Sequence, residues 1–327
     1  MRRIVCREFG PLTDLHLESA ADPIAGRDEV LIAVRAAGVS FADALLAQGL
    51  YQIKPPLPFT PGGEIAGEVI GRGSDVESVQ LGDRVVVSCG VGGFTDRIAV
   101  PADMVRPLPP RLSFGQGAAL LQSYATAWYA LTRRIALRAA QRVLVLGAGG
   151  GVGLAAVDVA RHLGAEVIAA ASSPEKLAVA SAAGATAVVD YSREDLKMRV
   201  RELAQGGVDV VVDPIGGAQA EPALRALRPF GHYLVVGFAA GQIPAFKANL
   251  ILLQNRAVIG VDWGAWSFQQ RDENRALVDA VLRLAGEGAL HPPEPTAWPL
   301  EQAAQAVMAL SERRAVGKLV LTCSAGA

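Results

Sequence analysis

Gln141–Gly164, QRVLVLGAGGGVGLAAVDVARHLG, decides how the rest of the chain is read, because a buried strand, a glycine hinge and a helix follow one another without a break. Val143–Leu146 is an apolar run of the kind a parallel sheet buries on both faces, and the glycines end it. From Leu154 to Leu163 apolar residues recur at helical spacing, leaving Asp158, Arg161 and His162 for the other side. Only glycine lets backbone N–H groups come close to a pyrophosphate while the following helix offers its positive end. The turn therefore points to a dinucleotide, with Gly147, Gly150, Gly151 and Val152 as its contacts. The spacing is AxGxxG (Ala148, Gly150, Gly153) rather than GxGxxG, and a purely structural tight turn is the alternative.

A second apolar run, Glu166–Ala171, closes the βαβ unit and exposes its tip. NAD sites place an Asp or Glu at that tip to hold the ribose 2′-hydroxyl. Here the chain reads Ala170-Ala171-Ser172-Ser173-Pro174-Glu175-Lys176, with hydroxyls and an ammonium at the tip. Ser172 and Lys176 suit a 2′-phosphate, so NADPH is expected over NADH. Ser173 also has the signature of an N-cap, with proline at the first helical position.

The remaining composition narrows the class. At 327 residues the chain exceeds what one core usually serves, so two domains are expected. Hydrophobic residues make up 51%, charged residues 19%, and the net charge is −1, which gives no electrostatic case for nucleic acid. Cys6, Cys89 and Cys323 are too few and too scattered for a disulfide framework or a zinc knuckle. MRRIVCREFG lacks an apolar signal core and no uncharged run is long enough to span a bilayer, so no membrane association and a cytoplasmic location are expected.

Strands and turns dominate the first hundred residues: Glu29–Ala36, Gly67–Ile70 and Arg84–Ser88 read as strands separated by glycine turns, consistent with a β-barrel-like domain. Leu112–Arg134 is helical in pattern. Beyond Val143 strands and helices alternate, with strands near Val188 and at Val208–Val212, Tyr233–Val236 and Ala257–Val261, as in a doubly wound parallel sheet. After Trp263 the alternation stops. Helices over Asn274–Gly286 and Glu301–Glu312 flank a proline-broken linker at Pro292–Pro299, and a last strand covers Lys318–Thr322. That tail is expected to return to the first domain, giving residues 1–120 with 266–327 as one domain and 121–265 as the other. A cofactor and a small substrate would meet in the cleft between them.

GVSFAD at 38–43, GLY at 49–51, PPLPFTPGGEIAGEV at 55–69, GDRV at 82–85, the glycine turn and NRAVIGVDWG at 255–264 together resemble the medium-chain dehydrogenase/reductase superfamily, in its zinc-free quinone oxidoreductase and zeta-crystallin branch. The resemblance spans essentially the whole chain. It implies an α/β protein with a discontinuous GroES-like β-barrel catalytic domain and a Rossmann domain. Where zinc-dependent members carry their catalytic ligands this chain has Ser40, Gly63 and Gln122, and the structural-zinc lobe has no counterpart, so no metal is expected.

Without a metal the substrate has to be electrophilic already, which means a quinone or a C=C conjugated to a carbonyl. The resemblance implies Tyr51 as the polar group nearest the substrate, either a proton donor or a pocket wall. It places Asp43 beside the nicotinamide, with a helix-start cap as the alternative. It further implies cofactor contacts from Thr126, Tyr191, Val236, Phe238, Arg314 and Lys318, and a homodimer formed through the exposed sheet edge at Ala257–Val261. Two other functions stay open: an NADPH-dependent enoyl thioester (acyl-CoA) reductase, and a crystallin-like protein that keeps the nucleotide site without strong catalysis.

Overall fold

β1 (Arg2–Val5) and β2 (His16–Ser19) pair antiparallel ahead of β3 (Glu29–Val39), whose alternation buries Val30, Ile32 and Val34 on one face. From Ala36 onward every residue of β3 is buried, because this half of the strand is covered on both faces. α1 (Phe41–Ala47) follows directly from Ser40. β4 (Glu64–Arg72), β5 (Arg84–Ser88), β6 (Arg97–Pro101) and β7 (Val105–Pro107) add antiparallel pairings. α2 (Phe114–Tyr129) ends in a single π-helical turn, Ala130–Arg134. The computed structural model describes residues 1–323. Contacts divide the chain into two units, Met1–Gln122 with the tail from Pro292, and Ser123–His291, so the boundary falls inside α2.

In the second unit strands and helices alternate: β8 (Arg142–Leu146), α3 (Gly151–His162), β9 (Glu166–Ala171), α4 (Pro174–Ala182), β10 (Ala187–Asp190), α5 (Leu196–Leu203), β11 (Val208–Asp213), α6 (Ala220–Ala226), β12 (Leu227–Val235), α7 (Ala248–Leu252) and β13 (Ala257–Gly260). These strands form one parallel sheet in the order β10-β9-β8-β11-β12-β13. The winding reverses between β8 and β11, and the crevice at such a reversal, outside the carboxyl ends of the strands, is where open α/β sheets bind ligands. The glycine turn leaves β8 at that point. α8 (Trp263–Gln269) and α9 (Arg271–Glu287) complete the unit.

β14 (Thr296–Pro299), α10 (Ala303–Ser311) and β15 (Leu319–Thr322) return to the first unit. There the sheet runs β14-β15-β3-β4-β5-β7, with β6 also on β3, and Leu319 lies opposite Val39. Leu300, Ala303, Val307, Leu319 and Leu321 share a core with Val30, Ile32, Ile65 and Phe94. The return begins at Pro292 rather than at residue 266 as expected. The reason is packing: Trp266 of α8 stacks on Tyr129 at 4.7 Å between ring centroids, and the buried Asp158 accepts the His291 N–H at 2.6 Å. The linker expected over Pro292–Pro299 contains a short strand, β14, that pairs with β15.

Candidate functional site

Gly147 adopts φ +57°, the left-handed region in which a side chain is strained, and a Cβ there would run into Ile215. A Cβ on Gly149 would meet the stem of Lys176, and one on Gly153 the carbonyl of Gly147. Gly150 caps α3 with no side-chain hydrogen bond, so the first turn, Gly151 and Val152, opens from bare backbone. That arrangement suits a phosphate group, since the N-terminal turn of a helix presents N–H donors and the positive end of its dipole.

The tip beyond β9 lies next to this turn. Ser172 is exposed, and Tyr191, which follows β10, donates its backbone N–H to the Ala171 carbonyl at 3.1 Å, so the two residues are neighbours. Ser173 Oγ accepts the Lys176 N–H as the N-cap of α4, with Pro174 in the first turn. Glu175 is turned back onto the helix start: its own backbone N–H, then the Ser173 hydroxyl, hold its carboxyl below the usual range. Lys176 is half-buried along the glycine turn. Gly147, Gly150, Gly151, Val152, Ser172, Lys176 and Tyr191 thus gather at the carboxyl ends of β8, β9 and β10. Val236 and Phe238 follow β12, and Thr126 is half-buried on α2.

The first unit holds the other expected residues. Tyr51 sits in the loop after α1, donates its backbone N–H to the Leu45 carbonyl at 3.2 Å, and packs half-buried on the first unit's core. Asp43 is 1% exposed. Its Oδ2 accepts the Ser40 N–H at 2.7 Å and the Ser40 hydroxyl at 2.8 Å, and its Oδ1 accepts the Gly62 N–H at 3.0 Å. Burial pushes its carboxyl up, while the Ser40 and Gly62 donors work against that. Together with Ser40, Asp43 makes a capping box at the start of α1, one of the two roles expected for it. Burial pushes the nearby Cys89 thiol up to about 12.

Lys318, expected on the cofactor, has a protein partner in Glu64. Its ammonium meets Glu64 Oε1 at 2.7 Å, and both side chains are buried. Glu64 Oε2 also accepts the Gln122 N–H at 2.9 Å. Arg314 pairs on the surface with Glu312 at 2.6 Å. The reading from sequence missed Glu64 as the partner of Lys318, and it missed Asp213 at the end of β11. An acid closing a buried strand before Pro214-Ile215-Gly216-Gly217 was the available signal for the latter.

At the three positions compared with zinc ligands, Ser40 Oγ is spent on Asp43, Gly63 has no side chain, and Gln122 offers an amide that fills the space beside Gly63. Among the described residues no group of three or more His, Cys, Asp or Glu side chains is placed to hold a metal ion. No helix among them is long and apolar enough to cross a membrane.

The sequence matches the alcohol dehydrogenase GroES-like domain family over residues 26–110 and the zinc-binding dehydrogenase family over residues 151–283. It is 39% identical over 324 residues to a quinone oxidoreductase-like protein 2 homolog of Nematostella vectensis, covering 98% of this chain and 88% of that one. A probable oxidoreductase from Mycobacterium abscessus superposes with TM-score 0.89 at 34% identity, covering 99% of both chains. Escherichia coli quinone oxidoreductase, solved in complex with NADPH, gives TM-score 0.89 at 28% identity over 99% of this chain and 100% of that one. With quinone oxidoreductase relatives matched over nearly its whole length, the chain is an oxidoreductase with a GroES-like domain and a Rossmann-type parallel sheet. The chain belongs to the medium-chain dehydrogenase/reductase superfamily, in its quinone oxidoreductase branch.

Proposed function

We propose that this protein is an NADPH-dependent reductase of quinones or conjugated enones that works without a metal ion. The observation that carries the cofactor choice is the tip at the ends of β9 and β10, where Ser172, Lys176 and Tyr191 gather and Glu175 is turned back onto α4. A 2′-phosphate gains charge-assisted hydrogen bonds from such groups, whereas a ribose diol gains none of that charge term. The glycine turn and the uncapped start of α3 fit the pyrophosphate. NADPH in the solved E. coli relative supports the same choice. Thr126, Val236 and Phe238 would hold the nicotinamide half. Lys318 is set aside in this reading because Glu64 engages it in a buried pair, while Arg314, paired at the surface with Glu312, stays a candidate cofactor contact.

When bound, NADPH supplies a hydride. The protein orients the acceptor and meets the negative charge that develops on its oxygen. Ser40, Gly63 and Gln122 offer no metal-binding donor set, so the acceptor has to be activated by its own conjugation. Tyr51 would donate a hydrogen bond or a proton to the carbonyl oxygen, and Asp43 would shape the loop junction through Ser40 and Gly62. The edge strand β13, together with the exposed Phe230, Leu252 and Leu253, supports a homodimer through that edge. A cytoplasmic location belongs to the same reading. Steady-state kinetics with one quinone tests the cofactor choice: kcat/KM at least tenfold higher with NADPH than with NADH is expected, and equal values overturn it.

A further inference from the structure

Asp213 closes β11 and is 1% exposed. Its Oδ1 accepts the Ile215 N–H at 2.9 Å and the Gly216 N–H at 2.8 Å, and its Oδ2 accepts the hydroxyl of the fully buried Tyr233 on β12 at 2.5 Å. The turn this carboxylate pins is locked to the one after β12. The Asp213 carbonyl takes the Val236 N–H at 2.9 Å, the Ile215 carbonyl takes the Ala240 N–H at 2.8 Å, and the Gly217 N–H donates to Gln242 at 3.0 Å. The Ile215 side chain lies against Gly147, and Gly216 lies against the Phe238 ring. One buried carboxylate therefore fixes both the wall of the glycine turn and the loop that carries Val236 and Phe238.

We propose that Asp213, with the Tyr233 hydroxyl holding it, is the positioning residue that sets the shape of the dinucleotide site. The proposal rests on the cofactor reading above. Tyr233→Phe removes the donor to Oδ2 and leaves a buried anionic oxygen unpartnered, a situation proteins relieve by rotating the group or admitting water. Either response loosens the Ile215 and Gly216 N–H groups and shifts both loops. Asp213→Asn keeps the shape but removes the charge that grips those two N–H groups.

The experiment measures dissociation constants for NADPH and for NADH by nucleotide fluorescence on wild type, Tyr233→Phe, Asp213→Asn and Val200→Ala, with melting temperatures recorded alongside. Val200 lies in the same core but on α5, outside the two turns that Asp213 pins. In Tyr233→Phe and Asp213→Asn both constants should rise by the same factor, roughly five- to twentyfold, in line with an unpaired buried polar group. Val200→Ala should lower the melting temperature without changing either constant. A lowered melting temperature with unchanged constants in both Tyr233→Phe and Asp213→Asn makes the pair a simple brace and overturns the proposal. A wild type that binds neither nucleotide overturns the cofactor reading, and the proposal with it.

Discussion

Replacing Lys318 by Met strips the ion-pair partner from Glu64, a carboxylate that is 0% exposed and that, among the described residues, otherwise accepts the Gln122 N–H at 2.9 Å. Removing one partner of a buried ion pair costs about 3–5 kcal/mol. A domain holds only about 5–15 kcal/mol in all, and for a unit of this size each kcal/mol shifts the melting point by about 2–4 °C, so a fall of roughly 6–20 °C follows. Glu64→Gln/Lys318→Met together should recover most of that loss, since neither member then leaves a bare charge in the core. Denaturant titration of wild type, both single variants and the double variant gives the coupling energy directly. A loss below about 1 kcal/mol for Lys318→Met, or additive single losses, would refute the pairing and return Lys318 to the candidates for cofactor contact. As a cross-check, the folded Lys318→Met variant should bind NADPH as wild type does.

Lys176→Ala should weaken NADPH by about 1–3 kcal/mol and NADH far less, read from inhibition or binding constants; equal losses for both would remove Lys176 from the 2′-phosphate site. Tyr51→Phe should lower kcat and kcat/KM together by roughly tenfold to a thousandfold and spare NADPH binding, more on an enone than on a quinone, whose reduced oxygens collect protons from water. Unchanged kcat on both acceptors would leave Tyr51 as a pocket wall. Light scattering at micromolar concentration should give a dimer mass, and Leu252→Lys, on the exposed patch beside β13, should shift it to monomer. A monomer in the wild type would contradict the edge-strand interface.

The Rossmann half was legible because its signals are local. Val143–Leu146 buries completely, the glycines after it take the turn, and Ser173-Pro174 starts α4 as an N-cap and first-turn proline. Its strands were placed within a few residues, although β12 starts at Leu227, well before the Tyr233 from which it was expected. The domain boundary was harder, since α9 is amphipathic in either setting and long-range contacts such as Trp266 on Tyr129 and His291 on Asp158 hold the segment in the second unit. Side-chain partnerships were the least legible part. Nothing local in the sequence says that Lys318 meets Glu64, 254 positions away, or that the Asp43 carboxylate also accepts the Gly62 N–H; its cap contact with Ser40, three residues back, was one of the two readings open.

The most direct test of the central claim is NADPH oxidation by the purified protein with a quinone, a simple enone and a short enoyl-CoA as acceptors, each in the presence and absence of a strong chelator. The account predicts turnover with the quinone or the enone, weaker turnover with the enoyl-CoA, and rates that the chelator leaves unchanged. Loss of activity on chelation, or oxidation of NADPH by none of the three acceptors, would contradict it.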